Sequence, residues 1–208
     1  LANLVTQHGD TVEVAGTLGA DALVVDLGGE SIVVTVNGVA YAFDRGDVAA
    51  VTFDGLDGED NVMVLGSSAD ETAVAGYHSG TFSSPGVEVS VENSESIYFR
   101  GGGGYNTIMM YDSGGDDLID IGASMTRFSG PGFSNTARGF QEIRGYASQG
   151  FDQAVIDDSS ADDTFIAKHS WAQMTGGGLV KHVSGFDSVR AYAGAGNDSA
   201  VLYDSIGD

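Results

Sequence analysis

The chain contains no cysteine, only 2 prolines and 1 tryptophan, and sets 8 Lys and Arg against 30 Asp and Glu. Without cysteine there is neither a disulfide framework nor a thiolate metal site, although both an intracellular and an exterior compartment stay compatible. A net charge of −22 repels nucleic acid and anionic membranes and attracts cations, which sets DNA and RNA binding aside. No apolar run approaches the roughly 20 residues of a transmembrane helix, so membrane insertion is not expected. The opening LANLVTQHGD has no basic n-region and no initiator methionine, and reads as a processed or excised segment. Linkers are missing too: there is no long glycine-serine or charged tract, so the 32 glycines punctuate ordered structure. What is present, at 42% apolar, is enough for a sizeable core.

The organising feature is a repeat. Asp60, Asn106, Asp152 and Asp198 lie 46 residues apart, as do Asp70, Asp116, Asp162 and Asp208, and Val51, Ile97, Ile143 and Val189. Asp112, Asp158 and Asp204 keep the same step, as does the pair Phe140 and Phe186. Each module reads as an apolar strand (SIYF, EIRGY, SVRAYA), a glycine-rich turn and a second strand (TIMMYDS, QAVIDDS, SAVLYDS). An acidic turn, a third short strand and a less regular half (SGPGFSNTARGF, TGGGLVKHVSGF) complete it. Short alternating apolar runs between Gly and Asp turns are strand signals, and no helix is expected.

Inside the module a half-period of 23 residues runs through Val51, Val74, Ile97, Asp120, Ile143, Ile166 and Val189, with Asp120 the one polar member. Three short strands and three turns fit 23 residues, so the expected fold is all-β: a right-handed parallel β-helix with two coils per module and about nine coils in all. The recurrent Val and Ile would form its inner ladder. The expected boundaries are an atypical first module or cap at 1–50, then modules at 51–96, 97–142, 143–188 and a truncated 189–208. Within 1–50, Asn37-Gly38 between alternating strands signals a hairpin. Open terminal coils expose strand edges, so neighbouring segments or copies are expected to dock head-to-tail and build a filament.

GGGGYNTIM at 101–109 fits the nonapeptide G-G-x-G-x-D-x-U-x with Asn106 in the aspartate position, and GLDGEDNVM (55–63) and AGAGNDSAV (193–201) are looser copies. These segments resemble the RTX, hemolysin-type calcium-binding repeats. The whole module, with its NGVAYAF, ARGF and LYDS phrases, is similar to 46-residue repeats of very large secreted planctomycete-type bacterial proteins. The resemblance implies a secreted or cell-surface location and calcium as cofactor. It differs from RTX in that the nonapeptide recurs once per 46 residues instead of in immediate succession.

The candidate ligands are the acids clustered once per module: Asp60, Asp112, Asp116, Asp117, Asp152, Asp158, Asp162, Asp163, Asp198 and Asp204. Crowded carboxylates repel one another unless a cation screens them, and Ca²⁺ takes six to eight oxygens of this kind. Turn chemistry is the alternative, because Asp and Asn side chains bond to the backbone two residues on. Lys181, which the half-period places between Asp158 and Asp204, offers neutralisation without metal.

Catalysis is not expected. His8, His78, His169 and His182 occupy unrelated phases, and the sequence has no HExxH, G-x-S-x-G elbow or P-loop. The rival reading is a polysaccharide-active or glycan-binding β-helix, with Trp171, Tyr98, Tyr111, Tyr146, Tyr192 and Tyr203 as a sugar-stacking strip. The favoured one is a structural module of an extracellular protein.

Overall fold

The structure, a computed structural model, describes residues 4–204. The chain is all-β apart from one short 3-10 turn at Arg45–Asp47. It opens with β1 (Val5–His8), β2 (Thr11–Ala15), β3 (Ala22–Asp26), β4 (Ser31–Val36) and β5 (Val39–Asp44). A second set of five follows: β6 (Ala50–Asp54), β7 (Asn61–Leu65), β8 (Thr72–Gly76), β9 (Ser79–Ser84) and β10 (Val87–Glu92). The third is β11 (Ser96–Arg100), β12 (Thr107–Tyr111), β13 (Leu118–Ile121), β14 (Met125–Gly130) and β15 (Phe133–Arg138). The fourth is β16 (Glu142–Tyr146), β17 (Gln153–Asp157), β18 (Thr164–Lys168), β19 (Trp171–Gly176) and β20 (Leu179–Ser184), after which come β21 (Ser188–Tyr192) and β22 (Ser199–Leu202).

These strands form a β-solenoid of stacked parallel coils, about five turns in all and about 35 residues apart. Two sheets make its walls. One has 12 strands in the order β1-β2-β6-β10-β9-β8-β12-β16-β20-β19-β18-β22, and the other has 10 in the order β21-β17-β13-β14-β15-β11-β7-β3-β4-β5.

The order shows how a 46-residue sequence period yields a 35-residue coil. In each full module the first two strands go to opposite walls, and the last three fold as an antiparallel meander within the wall of the first. The chain therefore makes an odd number of wall crossings per module, and the next module starts on the other wall. Its second strand then stacks on the third strand of its predecessor, as Thr107 of β12 does on Thr72 of β8.

The 23-residue coil is thus corrected. Half a module is an odd number of residues, and side chains alternate faces along a strand. The half-step accordingly alternates between inside and outside: Val51, Ile97 and Ile143 are buried, whereas Val74, Asp120 and Ile166 lie on the outer face. Asp120, the polar exception, was the visible sign of this. The meanders replace the nine expected coils with about five turns.

Two-residue turns close the meanders. Asn37-Gly38 is a hairpin, with φ of 49° and 82° at its two residues, as its sequence predicts. Pro85-Gly86, Pro131-Gly132 and Gly177-Gly178 stand at the corresponding joints between β9 and β10, β14 and β15, and β19 and β20. The first five-strand set differs in two respects: β1 pairs antiparallel to β2 as an edge, and the step from β3 to β7 is 39 residues where that from β7 to β11 is 35.

Inward residues from both walls fill the space between. Val51, Phe53, Val89 and Ile108 come from one side and Leu23, Val64, Ile97 and Phe99 from the other, all essentially inaccessible. Phe82 of β9 meets Phe99 of β11 across the core with ring centroids 5.5 Å apart. Gly80 makes room for this contact, since a Cβ there would lie 3.0 Å from the Phe99 ring. Asn135 and Lys181 are the polar residues at a core position that Val89 occupies one and two modules earlier.

Candidate metal centres

The acidic turns sit where the chain passes from one wall to the other. In four of them a Ser or Thr four residues before an acid caps it, Ser67 and Glu71 among them. Ser113 donates its N–H to Asp117 at 3.0 Å and its hydroxyl at 2.9 Å, and Ser159 does the same to Asp163 at 3.1 and 2.7 Å. Thr17 and Asp21 form the same turn, at 2.6 and 3.0 Å.

Across coils the same carboxylates bind backbone. The N–H of Asp117 donates to Asp152 at 2.9 Å, that of Asp152 to Asp187 at 2.8 Å, and that of Asp163 to Asp198 at 3.0 Å, each a 35-residue step. Asp21 donates to Asp60, and Asp60 to Glu95, both at 2.7 Å. One coil keeps this geometry with amides: Glu71 donates to Asn106 at 2.9 Å and Asn106 to Gln141 at 2.7 Å. Acids at these bends therefore hold the stack together by charge-assisted bonds to peptide N–H groups.

Six of the ten expected ligands converge. Asp112, Asp117 and Asp152 form one group and Asp158, Asp163 and Asp198 another, each with oxygens all within 4.8 Å of one another. The groups are one module apart in sequence. Asp116 and Asp162 lie outside them and accept the N–H of Phe151 and Asn197, both at 2.8 Å. Asp60 sits in the ladder between Asp21 and Glu95, and its Oδ2 is buried without a partner among the described residues. Asp204 is exposed and belongs to neither group, and Asp208 lies outside the described residues.

Electrostatics distinguishes the two groups. Lys181, 2% exposed, reaches into the neighbourhood of Asp157, Asp158 and Asp163 and donates to the Asp157 carbonyl, while burial pulls its ammonium below the usual lysine range. The second group thus has a cation of its own beside it. Among the described residues no cation acts on the first: burial, then the nearby Asp112 and Asp116, pushes Asp117 up, and burial with Asp112, Asp117 and Asp187 pushes Asp152 up. Asp60 is raised as well, by burial first and then by Asp21 and Glu95. For Asp21 burial is outweighed by bonds from Asn37 and Thr17, so its pKa is lowered.

The sign of the pH dependence follows. Carboxyls with a raised folded pKa hold protons more tightly folded than unfolded, so their contribution favours folding at low pH and is lost as pH rises through the folded values. Asp21 opposes this only as pH falls below its unfolded value near 3.8. Melting in metal-free buffer should therefore show a higher midpoint at about pH 4.5 than at pH 7, helped by relief of the net charge. A lower midpoint at pH 4.5 would mean that ladder bonds outweigh crowding.

The aromatic residues form a row across the outer face of the 12-stranded wall. Tyr111 stacks on Tyr146 at 5.2 Å, Tyr146 lies 6.4 Å from His182, and His182 stacks on Trp171 at 5.7 Å. Lys168 lies over the Trp171 and Tyr203 rings at 5.1 and 5.0 Å. Rings that face one another or a cation have those faces occupied, so the row acts as a cross-strand ladder. Tyr98 and Tyr192 stand on strands of the other wall. The hydroxyls of Ser113 and Ser159, missed as site residues in the sequence, were visible there as S-x-x-x-D at a 46-residue step.

Comparison of the chain with protein-family models, with curated proteins and with solved structures finds no match in any of the three.

Proposed function

We propose that the chain is a structural repeat segment of an extracellular or cell-surface protein or filament, with calcium ordering its acidic turns and segments docking head-to-tail. The fold is consistent with a structural repeat domain. The observation that carries the reading is the shared use of the acids: they recur module by module, and Asp60, Asp112, Asp116, Asp117, Asp152, Asp158, Asp162, Asp163 and Asp198 bond to backbone at the bends. A catalytic site instead needs a non-repeating constellation.

Asp112, Asp117 and Asp152 suit a calcium ion. Oxygens bound to one ion at 2.3–2.6 Å are at most about 5 Å apart, which the 4.8 Å limit satisfies. Bound there, calcium would supply charge neutralisation to crowded carboxylates and lock two successive coils. The Asp158 group, with Lys181 near it, would hold it less well.

Head-to-tail docking is supported by the last described coil. Val189, Ala191, Ala200 and Leu202 line an opening, and Leu202 is 72% exposed. A strand added to the edge of each wall would cover these side chains and pair their open backbone.

Thermal melting at pH 7 tests the calcium reading. At a free concentration of about 100 times Kd, binding adds about 2.7 kcal/mol. For a chain of this size that raises the midpoint by roughly 5–10 °C over a chelator control. The rise should vanish in D117N/D152N. Equal midpoints with calcium and with chelator would remove calcium and leave a metal-independent scaffold.

A further inference from the structure

One module reverses the charge of its predecessor. Asp54, Asp60, Glu92 and Glu95 of one module are replaced, 46 residues on, by Arg100, Asn106, Arg138 and Gln141, so four negative charges become two positive and two neutral. At the same four positions the module after that has Tyr146, Asp152, Ser184 and Asp187. The amides keep the acceptor role in the ladder and delete its charge. The Cα partners Asp54 and Glu92 correspond to the Cα partners Arg100 and Arg138. Like charges directly opposed on adjacent strands are destabilising. Neither guanidinium makes a hydrogen bond or ion pair among the described residues, although the chain has 30 acids to offer.

Both arginines line a groove of about 480 Å³, within the range of small-molecule sites. The β13–β14 turn at 122–124 and the apolar Phe140 and Ile143 also line it, and no acidic side chain is among the described residues lining it. Gln141, also in the lining, commits its Oε1 to the Asn106 N–H, so its amide NH₂ is the end left to donate.

We propose that this groove binds a compact carboxylate, an acidic sugar, with the carboxylate held by Arg100 and Arg138. Guanidinium groups match a planar carboxylate bidentately. Phe140 and Ile143 suit the CH-rich face of a ring, and the Ser124 and Gln141 side chains its hydroxyls. A singly charged ligand is favoured over a polyanion because the net charge of −22 opposes each added negative charge. The site does not depend on calcium or on the scaffold reading.

The test is isothermal titration of the 208-residue chain with D-glucuronate, with D-glucose as the ring lacking the carboxylate. The expected result is one-to-one saturation by glucuronate and none by glucose. R100Q/R138Q should weaken binding at least tenfold, about the effect of removing charged hydrogen bonds. N106D/Q141E, which keeps both arginines and restores the acids of the repeat, should weaken it too, so the proposal survives if either variant misfolds. Absence of saturation, equal binding of glucose, or unchanged affinity in a folded variant overturns it. So does concentration-dependent self-association that R100Q/R138Q abolishes without glucuronate binding, which would give the arginines to the acidic turns of a second copy.

Discussion

Phe99→Ala is expected to lower the melting midpoint by roughly 6–20 °C, about 3–5 kcal/mol at the usual sensitivity of a chain this long. The Phe99 side chain is wholly inaccessible and is the cross-core partner of Phe82. Removing the ring leaves a cavity between walls that backbone ladders hold apart, so the site can relax little. Phe82 and Phe99 come from different modules, so the loss also uncouples neighbours whose contact keeps the stack cooperative. Scanning calorimetry checks the value; a drop under about 2 °C would mean that the walls close up without the ring.

Gly102→Ala is the second large effect, and it acts through backbone. A Cβ at Gly102 would lie 1.6 Å from the carbonyl oxygen of Ser67 on the adjacent coil. The following residue, Gly103, donates its N–H to that same oxygen at 2.8 Å. No side chain can yield there, so the turn must lift off its neighbour and lose the bond. Overpacking of 1–3 kcal/mol plus about 1 kcal/mol for the hydrogen bond gives about 2–4 kcal/mol. Gly114→Ala is the control, because nothing lies within 4 Å of its Cβ position. Equal midpoints for the two variants would contradict the close stacking of turns.

These two positions also show what was legible in the sequence. The all-β class, the repeat and the buried Val51, Ile97 and Ile143 follow from period and alternation, which are local properties. The coil length does not, because equivalent residues of successive modules occupy opposite walls and do not stack. That depends on the parity of crossings, which requires recognising each meander as one unit. The turns Pro85-Gly86, Pro131-Gly132 and Gly177-Gly178 carried that information at a 46-residue step, in the half that looked least regular.

The candidate site was legible in part for the same reason. Clustered acids identify the bends, but which acids meet depends on the 35-residue step: Asp152 joins Asp112 and Asp117, while Asp116, adjacent to Asp117 in sequence, points its bond at Phe151. Lys181 was visible as a cation among aspartates, but for another reason than the half-period. It is a core position whose side chain reaches the Asp157 carbonyl.

The absence of native cysteine permits a direct test of the stacking rule. Thr72 and Thr107, Cα partners on parallel strands 35 residues apart, face outward on the same wall. Adjacent strands lie about 4.8 Å apart, within disulfide reach. Thiol titration after mild oxidation should find T72C/T107C closed and T72C/E95C, at a 23-residue step, open. The reverse result, with the shorter step closed and the longer one free, would contradict the alternation of modules between two walls.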